Sequence, residues 1–244
     1  MKHFFFLFCV YFSFSQEEIL VVDFVKGDYP FDKKVKILFD KDWRPTTIKD
    51  SAEYYRLITF KEKNIPKGVI KDYYINGVLQ AKFYANYVGI NKQEIDSVVN
   101  NGPAFYYNSS GIKNIERYFF NEMKVGTEKF FYETGEIKQN IYWENGLKQG
   151  EEIGYYKSGE TKYTVNYVDG LKQGEYKSFY KSGKVEIIVN FIDDLQQGEQ
   201  KFYYESGKLQ YIVTYVDDLR QGEYKSFYES GEIEVTVNYV DGLQ

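Results

Sequence analysis

The stretch GEYKSFYKSGKVEIIVNFIDDLQQ, residues 174–197, is one copy of a unit that recurs every 24 residues. One glycine opens each copy, and a second glycine follows nine residues later. The opening glycines are Gly102, Gly126, Gly150, Gly174, Gly198 and Gly222, and the second glycines are Gly111, Gly135, Gly159, Gly183, Gly207 and Gly231. A fixed period of this length predicts an array of small units that bury their apolar side chains against one another.

The predicted repeat array covers residues 68–244. Its first copy begins at Gly68, and an insert of ten residues, 92–101, separates that copy from the next. The predicted units are 68–91, 102–125, 126–149, 150–173, 174–197, 198–221 and 222–244. The second glycine of each unit is predicted to supply the left-handed backbone of a turn.

Each unit is predicted to be a β-hairpin. In the quoted copy, residues 175–180 form a short aromatic strand, and residues 181–183 form a turn. Apolar residues then alternate with others, which is the period of a half-buried strand. The predicted apolar face carries Val185, Ile187, Val189 and Phe191, and in the two later copies it begins at Leu209 and Ile233. Asp193 and Asp194 favour a second turn with positive φ, and Leu195 follows it.

The predicted fold is all-β. Seven hairpins joined by tight turns give about fourteen strands in one elongated antiparallel meander. Such a sheet is expected to be open and twisted. Residues 16–67 are predicted to be an N-terminal β cap, with strands at 19–25, 35–39 and 54–60, that covers the first edge of the sheet.

The first fifteen residues have the pattern of a secretory signal peptide. Lys2 precedes an apolar run, residues 4–14, and Ser13 and Ser15 are the small residues before a cleavage site. The predicted localisation is therefore exported (periplasm, cell surface or secreted), after cleavage near Ser15. The only histidine and the only cysteine of the chain lie in this segment, so catalysis or metal binding by those side chains is not expected in the mature chain.

The charge balance bears on the class of partner. The full chain has 31 basic and 36 acidic residues. Cleavage removes Lys2, so the mature chain has 30 basic residues and a net charge of −6. This argues against nucleic acid and anionic lipid as main partners. No catalytic residue, cofactor or metal site is predicted.

Two rows of acidic residues recur with the repeat. One consists of Asp169, Asp193, Asp194, Asp217, Asp218 and Asp241, and the other of Glu151, Glu175, Glu199 and Glu223. Calcium needs six to eight oxygen ligands, so the aspartates are interpreted as solvated turns. Lys177, Lys201 and Lys225 are expected to form cross-strand ion pairs with the glutamate row.

The repeated pattern Gly-Glu-x-x-x-Phe/Tyr-Tyr-x-x-Gly, followed by Asn-Tyr-x-Asp-Gly-Leu, resembles the MORN repeat, and more closely its bacterial variant. The resemblance covers about residues 68–244. The unit 102–125 departs from it, because Tyr107-Asn108 replaces the usual aromatic pair. Many bacterial proteins of this group are labelled antitoxins, so the resemblance implies an antitoxin-like alternative in which the chain neutralises a partner.

Two functional hypotheses from different classes follow. The first is a non-catalytic exported scaffold that binds a protein partner through a curved β-surface or a sheet edge. The second is binding of a cell-envelope glycan by stacking on repeated aromatic rings. The candidate interaction surface for both is Tyr156, Phe179, Tyr180, Tyr204, Phe227 and Tyr228, and exposure of these side chains separates the two. The regular last hairpin also predicts either a chain that continues past Gln244 or edge-to-edge self-association.

Overall fold

The computed structural model describes residues 20–21, 31–88 and 98–243. The predicted signal segment and residues 92–97 of the predicted insert lie outside the described residues. Residues 98–101 of that insert lie inside a strand. The described ranges contain one short 3-10 turn, Lys49–Ser51. No helix there is long and apolar enough to cross a membrane.

Twenty strands make up the described part of the chain. They are β1 (Leu20–Val21), β2 (Lys34–Phe39), β3 (Tyr54–Glu62), β4 (Ile65–Pro66), β5 (Ile70–Tyr74), β6 (Leu79–Val88), β7 (Val98–Tyr107), β8 (Lys113–Phe120), β9 (Met123–Phe131), β10 (Ile137–Glu144), β11 (Leu147–Lys148), β12 (Gly150–Tyr155), β13 (Thr161–Val168), β14 (Leu171–Lys172), β15 (Gly174–Phe179), β16 (Val185–Ile192), β17 (Leu195–Tyr203), β18 (Leu209–Val216), β19 (Leu219–Phe227) and β20 (Ile233–Tyr239).

Nineteen of these strands form one open sheet, and the twentieth, β4, pairs with β3 in a small separate ladder. Strand order follows chain order from β2 to β20, with antiparallel neighbours, whereas β1 runs parallel to β2. The short strands β11 and β14 continue into β12 and β15, so β5 to β20 amount to fourteen full strands. The predicted all-β open antiparallel meander is confirmed, and the N-terminal strands β2 and β3 extend the same sheet.

The two turns of each hairpin need positive φ at defined positions. The six second glycines have φ between 79° and 99°. In the other turn, Asp193 and Asp194 have φ of 50° and 69°, the mirror-image turn that matches the twist of a two-residue hairpin. Aspartate and glycine tolerate this conformation better than other residues.

A β-bulge in each hairpin corrects the predicted apolar face. Ser178 pairs with Ile187, but the next residue, Phe179, pairs with Val185, so Glu186 is an extra residue. Paired residues share a face, and consecutive residues of a strand point to opposite faces. The prediction that Val185 shares the face of Ile187 is therefore wrong. The same shift affects Leu209 and Ile233.

The two faces of the array differ in chemistry. The aromatic face consists of Tyr163, Val165, Tyr167, Tyr176, Val189, Phe191, Phe202, Tyr211, Val213, Tyr224 and Tyr239. Val165, Val189 and Val213 on this face are at most 3% exposed, whereas Val235 in the last hairpin is 43% exposed, and neighbouring rings have centroids 5.1–6.5 Å apart. The polar face carries Lys129, Asn140, Thr164, Lys177, Lys201, Lys225 and Thr236, interleaved with isoleucines. Aromatic rings thus replace a second layer on this sheet.

A denser core lies at the other end of the sheet. Ten buried residues of β2 to β7 form it, among them Ile37, Ile58, Phe60 and Ile70. Trp43, Tyr54 and Tyr106 pack against its margin. The N-terminal segment and the first repeats therefore bury apolar area together, which the later repeats do not.

Candidate interaction surface

Three tyrosines of the candidate interaction surface join consecutive repeats. The Tyr156 hydroxyl donates to the main-chain carbonyl of Phe179 at 2.6 Å, and that of Tyr180 donates to Tyr203 at 2.5 Å. Tyr204 bonds the carbonyl of Phe227 at 2.8 Å in the same way. Each phenol thus reaches the carbonyl 23 residues later, in the next unit. We call these bonds the tyrosine staples.

Exposure along this candidate surface is low except at its last residue. Tyr156, Phe179, Tyr180, Tyr204 and Phe227 are half-buried. Tyr228 is 51% exposed, and its hydroxyl makes no hydrogen bond within the described ranges. The structure therefore uses the phenol hydrogens of three of these side chains for bonds between repeats, which leaves only their oxygen lone pairs for a ligand.

The departure at Asn108 removes one staple. Tyr74, in the first unit, reaches the carbonyl of Tyr107 at 3.4 Å, and Tyr132 reaches Tyr155 at 2.7 Å. Between them, Asn108 has no phenol, and its Oδ1 accepts from the N–H groups of Ser110 and Ile112 within its own turn. The unit 102–125 is thus held to the next without this bond.

A glycine allows one ring of the aromatic face to lie flat on the sheet. Gly154 pairs with Tyr163, and a Cβ added to Gly154 would lie 2.1 Å from a ring carbon of Tyr163. The hydroxyl of that ring donates to Oε1 of Glu152 at 2.9 Å. Burial, and then this hydrogen bond, raise the pKa of Tyr163 far above its ordinary value.

Two buried carboxylates, Glu128 and Glu152, lie on the aromatic face. Glu152 accepts from Gln139 at 2.7 Å and from Lys148 at 2.8 Å, in addition to Tyr163. Its equivalent one repeat earlier, Glu128, accepts from Trp143 Nε1 at 2.9 Å and lies 2.8 Å from Arg117. Each of these buried carboxylates is thus paired with a cation, as buried charges generally are.

An exposed apolar stripe runs along one edge of the sheet, on both sides of the turns at which the aspartates occur. We call it the aliphatic ridge, and its residues are Phe120, Met123, Leu147, Val168, Leu171, Ile192, Leu195, Val216, Leu219, Val240 and Leu243, each between 40% and 74% exposed. Within a turn the two ridge residues pair, as Ile192 does with Leu195. Glu144 interrupts the pattern at one turn, where it pairs with Leu147.

The ridge is continuous from one repeat to the next. Leu147 Cδ2 lies 3.5 Å from where a Cβ on Gly170 would stand, and Leu219 makes the same approach to Gly242. Equivalent turns are separated by two strands, roughly 10 Å. Ridge residues are adjacent along a strand to residues of the aromatic face, as Ile192 is to Phe191. They therefore point to the opposite side of the sheet and lie at the margin of the polar face.

The acidic turns are part of the same edge. Their aspartates tie each turn to the preceding one: Gln149 donates to Asp169 at 2.6 Å, and the N–H of Lys172 donates to Asp194 at 2.8 Å. No group of acidic side chains in the described ranges could hold a metal ion. The aspartates place negative charge beside the ridge and shape its turns.

The predicted lysine–glutamate pairs form, but in another direction. Lys177 Nζ lies 2.5 Å from Glu175, and Lys201 and Lys225 lie 2.9 Å and 2.6 Å from their glutamates. The partners are two residues apart on one strand, so the expected cross-strand pairing is wrong. Residues i and i+2 of a strand point to the same face, so each lysine reaches the glutamate two residues before it on its own strand.

The sequence analysis placed Leu195 after the second turn but gave neither it nor its equivalents a role. The signal was their 24-residue recurrence directly after each turn, at Leu147, Leu171, Leu195, Leu219 and Leu243. A recurrent apolar residue is normally assigned to the core. The single-layered sheet has nothing to cover this margin within the described ranges, so these leucines stay exposed.

Comparisons with known proteins identify the repeat. Five segments, residues 124–146, 148–169, 172–193, 196–217 and 220–241, match the MORN repeat variant. The comparison with curated proteins gave no match. Among 44 solved chains with some similarity, one comes from the crystal structure of the GtfA/B complex bound to UDP and GlcNAc. It is 11% identical, with 50% of this chain covering 26% of that one and a TM-score of 0.22. That likeness is too weak to bear on function.

Proposed function

We propose that this chain, which contains five repeats of the MORN repeat variant family, is a non-catalytic scaffold that binds another protein through the aliphatic ridge. The observation that carries the proposal is the exposure of the ridge, 40% or more at every position. Scattered exposed apolar side chains are normal on soluble proteins, but a contiguous stripe marks an interaction site.

The ridge has the form of an extended interface. Its eleven apolar residues, each at least 40% exposed, lie along six successive turns that are about 10 Å apart. The sheet pairing and the hydrogen bonds between successive aspartate turns hold the ridge side chains at fixed spacing. A partner therefore binds a surface that is already ordered, which lowers the entropic cost of association.

The charges beside the ridge favour a protein over a membrane. Four of the six ridge turns place one or two aspartates between two ridge residues, as in Ile192-Asp193-Asp194-Leu195, and another carries Glu122. Anionic lipid would be repelled by this row. A protein whose apolar stripe is bordered by lysine or arginine complements it in both chemistry and charge.

The proposed scaffold acts outside the cytoplasm, after cleavage near Ser15. The support is the apolar run after Lys2. Mass spectrometry of the chain from its native cells tests this: a mature N-terminus at Gln16 supports export, whereas an intact Met1 in the folded protein contradicts it. An antitoxin-like role is the special case in which the bound partner is a toxin, and identification of the partner decides it.

Co-purification with a ridge variant tests the function. Leu171→Ser, Leu195→Ser and Leu219→Ser combined remove the centre of the ridge, and these exposed side chains contribute little to folding. We expect the wild-type chain to retain a stoichiometric protein partner and the triple variant to lose it, by about a hundredfold or more in affinity.

The matched control changes exposed residues at the opposite turns, Lys157→Ser and Lys181→Ser. It should retain the partner. If wild-type chain retains no stoichiometric partner, or if both variants bind it equally, the ridge is not the binding surface. Recovery of a second copy of this chain as the sole partner would replace the proposal with self-association.

A further inference from the structure

A cavity lies where the N-terminal strands meet the first repeats. Its volume is about 500 Å³, within the roughly 300–1,000 Å³ of small-molecule sites. The turn before β3 and strands β3 and β5 to β8 contribute its lining. It is separate from the aliphatic ridge, which follows the aspartate turns of the later repeats.

Trp43 forms an aromatic wall of this cavity in an unusual backbone conformation. Its φ is 59°, in the left-handed region that is rare for a bulky residue. Its indole stacks on Tyr54, with ring centroids 4.6 Å apart and planes 13° apart. Backbone strain of this kind persists where surrounding structure enforces it and often accompanies a functional site.

The charges at the cavity cancel. Arg56 donates to both carboxylate oxygens of Asp72, Nε to Oδ1 at 2.7 Å and Nη2 to Oδ2 at 2.9 Å. The side chains are 10% and 5% exposed, and the guanidinium also lies near the rings of Phe39 and Phe83. Because each charge has its partner inside the protein, a charged ligand would find no counter-ion here.

Several polar groups around the cavity have no hydrogen-bond partner in the described ranges. Oδ1 of Asn114 is buried and unpaired, which is uncommon for a buried carbonyl oxygen. The side chains of Gln80 and Asn100 and the hydroxyl of Tyr106 also line the cavity and make no hydrogen bond to another described residue. Burial raises the pKa of Tyr106, so its hydroxyl keeps its proton.

We infer that this cavity binds a neutral sugar, as one pyranose unit of a free saccharide or of a glycan chain. A pyranose has an apolar C–H face that stacks on an aromatic ring and hydroxyl groups that both donate and accept hydrogen bonds. Trp43, with Tyr54 stacked on one face, and Tyr106, with the Arg117 guanidinium 5.0 Å over its ring, line the cavity with aromatic carbon, whereas Gln80, Asn100 and Asn114 supply amides that also donate and accept. The paired Arg56 and Asp72 leave the site uncharged, as such a ligand requires.

Isothermal titration calorimetry on the full chain tests this. The probes are glucose, galactose, mannose and N-acetylglucosamine, the β-linked disaccharides cellobiose and chitobiose, and charged glucuronic acid. We expect one neutral sugar to bind with a dissociation constant on the order of 1 mM, and glucuronic acid to bind more weakly. Tighter binding of the disaccharide would identify a glycan chain as the source, and equal binding a free sugar.

Two asparagine variants supply a matched comparison. Asn114→Leu should weaken binding about tenfold, the loss expected for one hydrogen bond in a polar site. Asn140 also has a buried Oδ1 without a partner but does not line the cavity, so Asn140→Leu should bind as the wild type does. Absence of binding by every neutral sugar up to about 20 mM, or equal binding by wild type and Asn114→Leu, would overturn the inference. Thermal melting of each variant confirms that it is folded.

Discussion

The hydroxyl of Tyr156 donates a 2.6 Å hydrogen bond to the main-chain carbonyl of Phe179, one repeat further along the chain. The bond crosses a repeat boundary at the hairpin end, where strand pairing has already ended. In a quasi-one-dimensional array, stability depends on the interfaces between neighbouring units. The tyrosine staples therefore contribute to the energy of the interface between repeats, and their hydroxyl hydrogens are already used.

Removal of one staple should destabilise the array measurably. Tyr180→Phe deletes the 2.5 Å bond to the carbonyl of Tyr203 and keeps the ring, so we expect a loss of about 1 kcal/mol in the free energy of unfolding. Urea unfolding followed by circular dichroism measures it. Tyr228→Phe is the control, because that hydroxyl has no described partner, and it should change stability by less than about 0.5 kcal/mol. Equal effects of the two changes would show that the staples add nothing.

The flat ring over Gly154 makes a second prediction. In Gly154→Ala the new methyl group would lie 2.1 Å from a ring carbon of Tyr163, so the ring must move off the sheet. We expect a loss of about 1–3 kcal/mol. Gly154→Ala combined with Tyr163→Ala should cost less than the sum of the single changes, since the clash is gone. Additive losses in the same urea assay would contradict this packing.

Alkaline pH should unfold the array through its buried tyrosines. Burial, and next the hydrogen bond to Glu152, raise the pKa of Tyr163, and burial chiefly raises the pKa of Tyr176 and Tyr211. A tyrosine loses its proton near pH 10 in the unfolded chain but at higher pH in the folded one. Above about pH 10 the unfolded state therefore binds fewer protons, and stability falls as pH rises.

This stabilising contribution is fully present below pH 10 and is lost towards the folded-state pKa. Urea midpoints between about pH 8 and pH 12 measure the slope, and Tyr163→Phe should reduce it. A midpoint that stays constant above pH 10 would contradict the raised pKa values.

A charge on the aromatic face should open the array locally. Val189 is 3% exposed, so Val189→Asp buries a carboxylate at a cost of more than about 3 kcal/mol. We expect loss of hydrogen-exchange protection in β15 to β17, with protection retained in β2 to β6. Ile188→Asp is the control, because that residue pairs with Lys177 and Lys201 on the polar face. A single cooperative transition with uniform loss of protection would refute local opening.

The hairpin architecture was predictable because glycine and aspartate report local backbone conformation. Gly183 and Asp193 mark turns whatever surrounds them, and a fixed distance between such turns fixes strand length. The bulge at Glu186 was not predictable, because alternation of side chains is a local pattern and an extra residue is defined only by its partner strand.

The candidate site was less accessible to sequence reasoning. The sequence predicted Tyr180 on a binding surface. It could not predict the hydrogen bond to Tyr203, because that bond depends on how two repeats stack. Exposure of Leu195 depends on the sheet having a single layer at that margin. Trp43 and Asn114 lie far apart in the chain, and only the order of β2 to β8 brings them to one cavity. Each of these relationships is tertiary and has no local signal.

Photo-crosslinking at the ridge tests the central claim most directly. A photoreactive amino acid replaces Leu195 in one full-length chain and Lys181, at the opposite turn, in another, and both are irradiated in native cells. The account predicts that the chain with the probe at position 195 crosslinks to one protein, which position 181 does not reach. Absence of a crosslink at 195, or the same products from both positions, would contradict the ridge as the binding surface.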